Sequence, residues 1–152
     1  MIRMGTAFSG IGSPEMALKQ LGYDHEVVFA CEIDKFARQS YKAIYEPEHK
    51  FYKDVYEIDG TKYKGKIDLF VGGSPCQSFS IAGMRKGTSD KRGELIYEYV
   101  RLIDEIKPKY FIYENVKGML SIDDGDTIKQ FLEALSSCGY ELTMDHHKIK
   151  DE

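Results

Sequence analysis

The sequence predicts an α/β fold with a doubly wound, mainly parallel sheet. Apolar runs of strand length alternate with segments of helical spacing along the chain. The first of those strands ends in a glycine turn that leads straight into helix-start signals. A chain of 152 residues, 42% hydrophobic and 30% charged, suits one soluble domain with one core.

Taken in order, Ile2 to Phe8 reads as the first strand and closes in the Gly10-Ile11-Gly12 turn. Ser13 suits an N-cap, Pro14 the first helical position and Glu15 the first turn. That helix runs to about Leu21, and Gly22 can stop it. Glu26 to Cys31 is the second strand. Asp34 caps a second helix that fades near Tyr45-Glu46-Pro47. Phe51 to Val55 reads as a short third strand, and Tyr56 to Lys66 as a polar connection. An apolar strand follows from Ile67. Glu94 to Lys107 carries Leu95, Tyr99, Leu102, Ile103 and Ile106 at close to helical spacing, and Pro108 ends it. Tyr110 to Val116 reads as a further apolar strand that ends in a carboxylate. Asp126 caps a helix through Leu132 and Leu135 to about Cys138, with Gly139 beyond. Tyr140 to Met144 starts another strand, whose open edge would favour self-association or pairing with a partner chain. No repeat, low-complexity tract or domain boundary interrupts this order.

No apolar run approaches the roughly 18 residues needed to span a bilayer. Met1-Ile2-Arg3-Met4 leads directly into a strand, so no signal peptide is expected. Cys31, Cys76 and Cys138 are odd in number and lack Cys-x-x-Cys spacing. That argues against a disulfide framework and a zinc site, and fits a reducing cytoplasm. His146-His147 reads as surface, and no metal is expected. The net charge of −4 does not announce a nucleic-acid binder. A local exception lies between Ser78 and Arg92, where Arg85, Lys86, Lys91 and Arg92 outnumber Asp90. This Ser- and Gly-rich loop suits contact with phosphates. Taken alone, it would be an ordinary solvated loop.

The stretch from Ile67 to Ser80 gives the loop its interest. A buried strand ends in Gly72-Gly73, the glycines let the backbone turn tightly, and Pro75 holds Cys76 at the strand's carboxyl end. Ligands of open α/β sheets sit outside that end. Most free cysteines are small buried hydrophobes, and Cys76 alone would be read so. The Tyr110 strand, however, ends in Glu114-Asn115-Val116.

Pro75-Cys76-Gln77 after one strand and Glu114-Asn115-Val116 after a later one resemble the signature of the cytosine-C5 methyltransferases. Phe8-Ser9-Gly10-Ile11-Gly12 resembles that family's cofactor loop. The likeness runs from about Met4 to about Tyr140. It implies a Rossmann-like methyltransferase fold and S-adenosylmethionine as cofactor. Phe8, Gly10 and Gly12 would line the pocket. Glu32 would take the ribose and Ile33 would pack on adenine. Asp54 would meet the adenine amino group beside Val55, with Pro75 and Leu95 completing the site. The family often has an acid two places before Phe8, where this chain has Thr6.

The residues alone leave NAD as a rival, since Gly10, Gly12 and a carboxylate twenty residues on also suit a dinucleotide. Glu15 counts against it. It stands where a third small residue is needed, and would set negative charge where a pyrophosphate must sit.

The resemblance also implies a reaction. Cys76 adds as thiolate to C6 of cytosine, giving an enamine nucleophilic at C5. C5 takes the methyl group, and loss of the C5 proton and of the thiolate restores the ring. A short helix from Gln77 would favour the thiolate. Glu114 hydrogen-bonds N3 and the exocyclic amine, while Asn115 fixes the turn. The strand before Glu114 would shelter its carboxyl. The substrate would be a cytosine flipped from double-stranded DNA, with Gln77, Ser80, Arg85, Lys86 and Arg92 at the DNA. The family's later arginine motif, target-recognition region and closing helix have no counterpart in residues 1–152. The expectation is therefore one catalytic domain, truncated at its C-terminus, of a bacterial or phage enzyme, with a complementing C-terminal polypeptide or self-association as the partner expectation. A binding remnant without turnover and a transfer-RNA methyltransferase are the alternatives. A cysteine hydrolase would need a histidine base, for which no histidine offers an evident route to Cys76.

Overall fold

The computed structural model describes residues 1–75 and 94–144. The strands are β1 (Ile2–Ala7), β2 (His25–Cys31), β3 (Lys50–Tyr52), β4 (Leu69–Gly72) and β5 (Tyr110–Tyr113). The helices are α1 (Ser13–Gln20), α2 (Lys35–Tyr45), α3 (Glu94–Ile106) and α4 (Asp126–Ser137). The sheet order is β3-β2-β1-β4-β5, and every pairing is parallel. The chain winds outward from β1 to β3 and then returns to β1's other side. The loops after β1 and β4 thus diverge at the point where open sheets of this kind bind ligands.

Alternation along the strands separates two faces. Ala7, Phe29, Cys31 and Phe70 join one core with Tyr99, Leu102, Ile103 and Ile106 of α3 and Phe131 and Leu135 of α4. An aromatic run crosses this face from Phe29 through Phe70, Tyr99 and Tyr113 to Phe131, with centroids between 4.6 and 6.0 Å apart. Tyr99 is fully buried yet satisfied, because its hydroxyl donates to the Ile112 carbonyl at 2.9 Å. Truncating such a ring to alanine typically costs about 3–5 kcal/mol. The other face, with Thr6, meets α1 and α2 through Glu15 and Tyr41.

Several local expectations change. The N-caps of α1 and α4 are Gly12 and Gly125, both left-handed and without a side-chain cap. Ser13 and Asp126 are instead the first helical residues, since glycine can make the sharp entry that another residue would strain to make. Asp34 does cap α2, accepting from the Ala37 amide at 2.7 Å. The third strand is Lys50–Tyr52, and Val55–Glu57 forms a 3-10 turn. A second turn, Gly60–Tyr63, and a longer one, Lys117–Gly125, were not anticipated. Residues 140–144 form no strand. The described sheet ends at β5, and Tyr140 docks instead by its side chain, its hydroxyl donating to the Pro108 carbonyl at 2.7 Å and its ring against Phe111.

Candidate cofactor and catalytic site

The loop after β1 is built against the end of β2. The Ser9 amide donates to the Cys31 carbonyl at 2.9 Å, and the Gly10 amide to Glu32 Oε2 at 2.8 Å. Phe8 has φ 56°, a left-handed value that costs a non-glycine residue on the order of 1 kcal/mol or more. Its side chain packs on the core, which helps hold the turn. Gly10 has φ 54°, and a Cβ there would meet nothing within 4 Å. Gly12 differs. With φ 88°, its Cβ would lie 2.3 Å from the Tyr45 ring and 2.9 Å from the Tyr41 ring. Tyr45 also donates its hydroxyl to the Gly12 carbonyl. Gly10 therefore leaves open space, whereas two tyrosines of α2 fill the space beside Gly12.

Glu32 stands at the carboxyl end of β2, half-buried. One oxygen accepts from Gly10 and the other from the Asp34 amide at 2.8 Å. A carboxylate has about four acceptor directions, so room remains for a pair of hydroxyls. Ile33 is 67% exposed, whereas Val55 is 4% exposed and part of the core. Of these two, only Ile33 is open to a ligand. Asp54 caps the following 3-10 turn, accepting from the Tyr56 amide at 3.1 Å. Arg101 holds that turn from α3, donating to the Val55 and Ile58 carbonyls while paired with Glu98 and Glu105. Leu95 packs half-buried on the core. An open glycine backbone, a carboxylate with free acceptor directions and an exposed apolar side chain together fit a nucleoside.

The turns after β4 and β5 interlock. The Glu114 amide donates to the Gly72 carbonyl at 3.0 Å. A Cβ on Gly73 would lie 2.2 Å from the Glu114 carbonyl oxygen, so only glycine allows this approach. Asn115 Nδ2 donates to the Ser74 carbonyl at 2.8 Å and to the Tyr113 hydroxyl at 3.1 Å. The Tyr113 hydroxyl lies 2.7 Å from Ser74 Oγ. Asn115 thus joins two loops rather than only shaping its own. Pro75 is exposed. Glu114 is also exposed, because it projects past the end of β5 and no described element covers it; the expected shelter is not there. Cys76, Gln77, Ser80, Arg85, Lys86 and Arg92 lie outside the described residues, as does His146-His147.

Glu15 does not extend into the open corner before α1. It is 1% exposed, with Oε1 3.2 Å from Thr6 Oγ1 and 2.9 Å from the Tyr41 hydroxyl. Repulsion of a pyrophosphate at the helix start is therefore not its role. It does fill the close helix–strand contact that a dinucleotide loop leaves to a small residue. An acid also lies beside Thr6 after all, supplied by α1 instead of β1. Tyr41, Tyr45, Ser74 and Tyr113 were missed in the sequence. Their partners are 26, 33, 39 and 39 positions away, and no short motif connects them.

The family model of the C-5 cytosine-specific DNA methylases matches residues 2–151. The chain belongs to this family. Among DNA methylases, it is 45% identical over 145 residues to the orphan methyltransferase M.SPRI of Bacillus phage SPR, covering 95% of this chain and 33% of that protein. It is 34% identical over 144 residues to the type II methyltransferase M.NgoPII of Neisseria gonorrhoeae, covering 95% and 42%. Its fold is similar to Spodoptera frugiperda DNMT2, with a TM-score of 0.71 and 26% identity over 91% of this chain and 41% of that one. The methylase chain therefore spans less than half the length of these relatives. The five parallel strands and flanking helices form the Rossmann-like methyltransferase fold.

Proposed function

We propose that this chain provides the cofactor-binding and catalytic part of an enzyme that methylates C5 of cytosine in double-stranded DNA. The observation that carries the reading is the interlock of Gly72–Ser74 with Glu114–Asn115. It supports Cys76 and Glu114 as partners on one base, beside a loop suited to a nucleoside. S-adenosylmethionine, when bound, supplies an electrophilic methyl group on a cationic sulfonium. Phe8, Gly10, Gly12, Glu32, Ile33, Asp54, Val55, Pro75 and Leu95 form or support its pocket. Glu32 takes the ribose hydroxyls, Ile33 the adenine face and Asp54 the adenine amino group. Cys76 adds to C6 of the base, and Glu114 hydrogen-bonds the N3 edge, offsetting charge as the thiolate adds. Gln77, Ser80, Arg85, Lys86 and Arg92 contact the DNA. The setting is the cytoplasm of a bacterium, with the gene bacterial or phage-borne.

Calorimetric titration with S-adenosylmethionine, its demethylated product and NAD tests the pocket. Binding of the first two is expected, and binding of NAD alone overturns it. Mild alkylation with peptide mass spectrometry tests the nucleophile. Burial pushes the Cys31 thiol up to about 12, with Glu32 adding to the shift. Burial also raises the Cys138 thiol. Cys76 is therefore expected to react first, and prior reaction of either other cysteine overturns its assignment.

A further inference from the structure

Among the described residues, Glu15 is the one fully buried acid, and no lysine or arginine there pairs with it. The groups facing it are Thr6 of β1, Tyr41 and Tyr45 of α2, and His25 at the start of β2. His49 lies beyond the Tyr41 hydroxyl at 3.3 Å, and burial pushes its ring toward the neutral form. Glu15 Oε2 has no hydrogen-bond partner among the described residues. A neutral carbonyl oxygen left alone costs far less than one half of a buried ionised carboxylate.

Counting hydrogens leads to the same state. Ser9 Oγ is 3.0 Å from the Cys31 carbonyl, which can only accept, so the Ser9 hydrogen is committed there. The Cys31 amide donates back to Ser9 Oγ at 3.0 Å. Thr6 Oγ1 is 2.7 Å from Ser9 Oγ, so that bond uses the Thr6 hydrogen. The remaining contact, Thr6 Oγ1 to Glu15 Oε1 at 3.2 Å, needs a hydrogen that neither hydroxyl has left. Only the carboxyl can supply it. Oε1 then donates to Thr6 and accepts from Tyr41 at 2.9 Å. Burial raises the Glu15 carboxyl above its ordinary range, against the opposing effect of a backbone amide and the Tyr41 hydroxyl.

We propose that Glu15 is a positioning residue carried as a neutral carboxylic acid. Its proton completes the chain Glu15–Thr6–Ser9–Cys31 that seats the Phe8–Gly12 loop on β2. On ionisation, the carboxylate draws the Thr6 hydrogen to itself, because charge-assisted bonds are stronger. Ser9 then loses a donor, and the loop that carries Gly10 loosens. This rests on the reading of that loop as the cofactor site.

The sign follows from the raised carboxyl. Native protein holds this proton more tightly than unfolded chain, so its stabilisation is complete below the ordinary carboxyl range. It is lost as pH rises through the native value. The test is S-adenosylmethionine affinity from mildly acid to mildly alkaline buffer. The original chain should weaken by about tenfold as pH rises. Glu15→Gln, which keeps a neutral donor toward Thr6, should stay flat at the acid-side value. Weakening as pH falls, or loss at every pH in Glu15→Gln, overturns the proposal. Infrared difference spectra of labelled glutamate between the original chain and Glu15→Gln in mildly acid buffer need no ligand, and should show an acid carbonyl band in the original chain. Carboxylate bands in its place overturn the proposal whatever the cofactor does. Tyr41→Phe, which removes a donor to the same oxygen, should shift the acid band, and serves if Glu15→Gln does not fold. An acid band without binding in either protein overturns the cofactor reading of the loop, and the positioning role with it.

Discussion

At Gly10 and Gly12 one residue type answers two demands. Both have positive φ, but the space beside Gly10 is open and that beside Gly12 holds Tyr45 and Tyr41. Gly10→Ala should cost only about 1–2 kcal/mol of backbone strain. Its methyl group would enter the space proposed for the cofactor, so affinity should fall by about tenfold or more. Gly12→Ala should lower stability further, since ring displacement adds about 1–3 kcal/mol to a similar strain. Urea midpoints and calorimetric titration of both variants separate the effects. A larger stability loss in Gly10→Ala would contradict the assignment. The sequence marks both glycines alike, because φ shows in the residue type but the neighbours do not.

At the scale of elements, the sheet is tied at both ends of its strands. Asp68, just before β4, accepts from the Arg3 amide and guanidinium at 2.9–3.0 Å and from Lys109 at 2.7 Å. It thereby connects β1, β4 and the approach to β5. These partners, led by the Arg3 side chain, hold the Asp68 carboxyl well below the usual carboxylate range. Its stabilisation is therefore present above that range and lost as pH falls beneath it. Asp68→Asn should be less stable at neutral pH, and the gap to the original chain should close in acid. Urea midpoints over a pH series measure this, and a gap independent of pH would show that charge is not the link. At the opposite end, Ser74, Tyr113 and Asn115 tie the β4 and β5 turns.

For the whole molecule, the important fact is extent. The chain spans 29% of the length of the orphan methyltransferase of Bacillus phage rho11s and 47% of that of the type II methyltransferase M.Bsp6I. Among the described residues β5 pairs only with β4, and Tyr110 and Ile112 are 72% and 54% exposed. Flipping a cytosine costs a few kcal/mol that protein contacts must offset. The 152 residues alone are therefore expected to give no sequence-specific methyl transfer to DNA. Adding the remaining part of a relative as a separate polypeptide should restore it. Tritiated methyl transfer to mixed-sequence DNA measures both. Specific transfer by the chain alone would mean that these residues suffice for recognition.

The order of strands and helices, the glycine loop, Glu32 at the end of β2 and the turns after β4 and β5 were legible in the sequence. Each depends on residues a few positions apart, where periodicity, turn chemistry and motif spacing act. The inward burial of Glu15, the tyrosines over Gly12 and the Ser74–Tyr113–Asn115 junction were decided only by the tertiary structure. So was the course of residues 140–144, where Tyr140 docks by its hydroxyl on the Pro108 carbonyl and by its ring on Phe111, long-range contacts that local alternation does not reveal. Glu15 shows the physical reason most plainly. A glutamate beside Pro14 at a helix start reads as a solvated first-turn charge. Parallel packing against β1 and α2 brings Thr6 and Tyr41 to it and removes the water, so the same carboxyl faces hydroxyls instead of solvent.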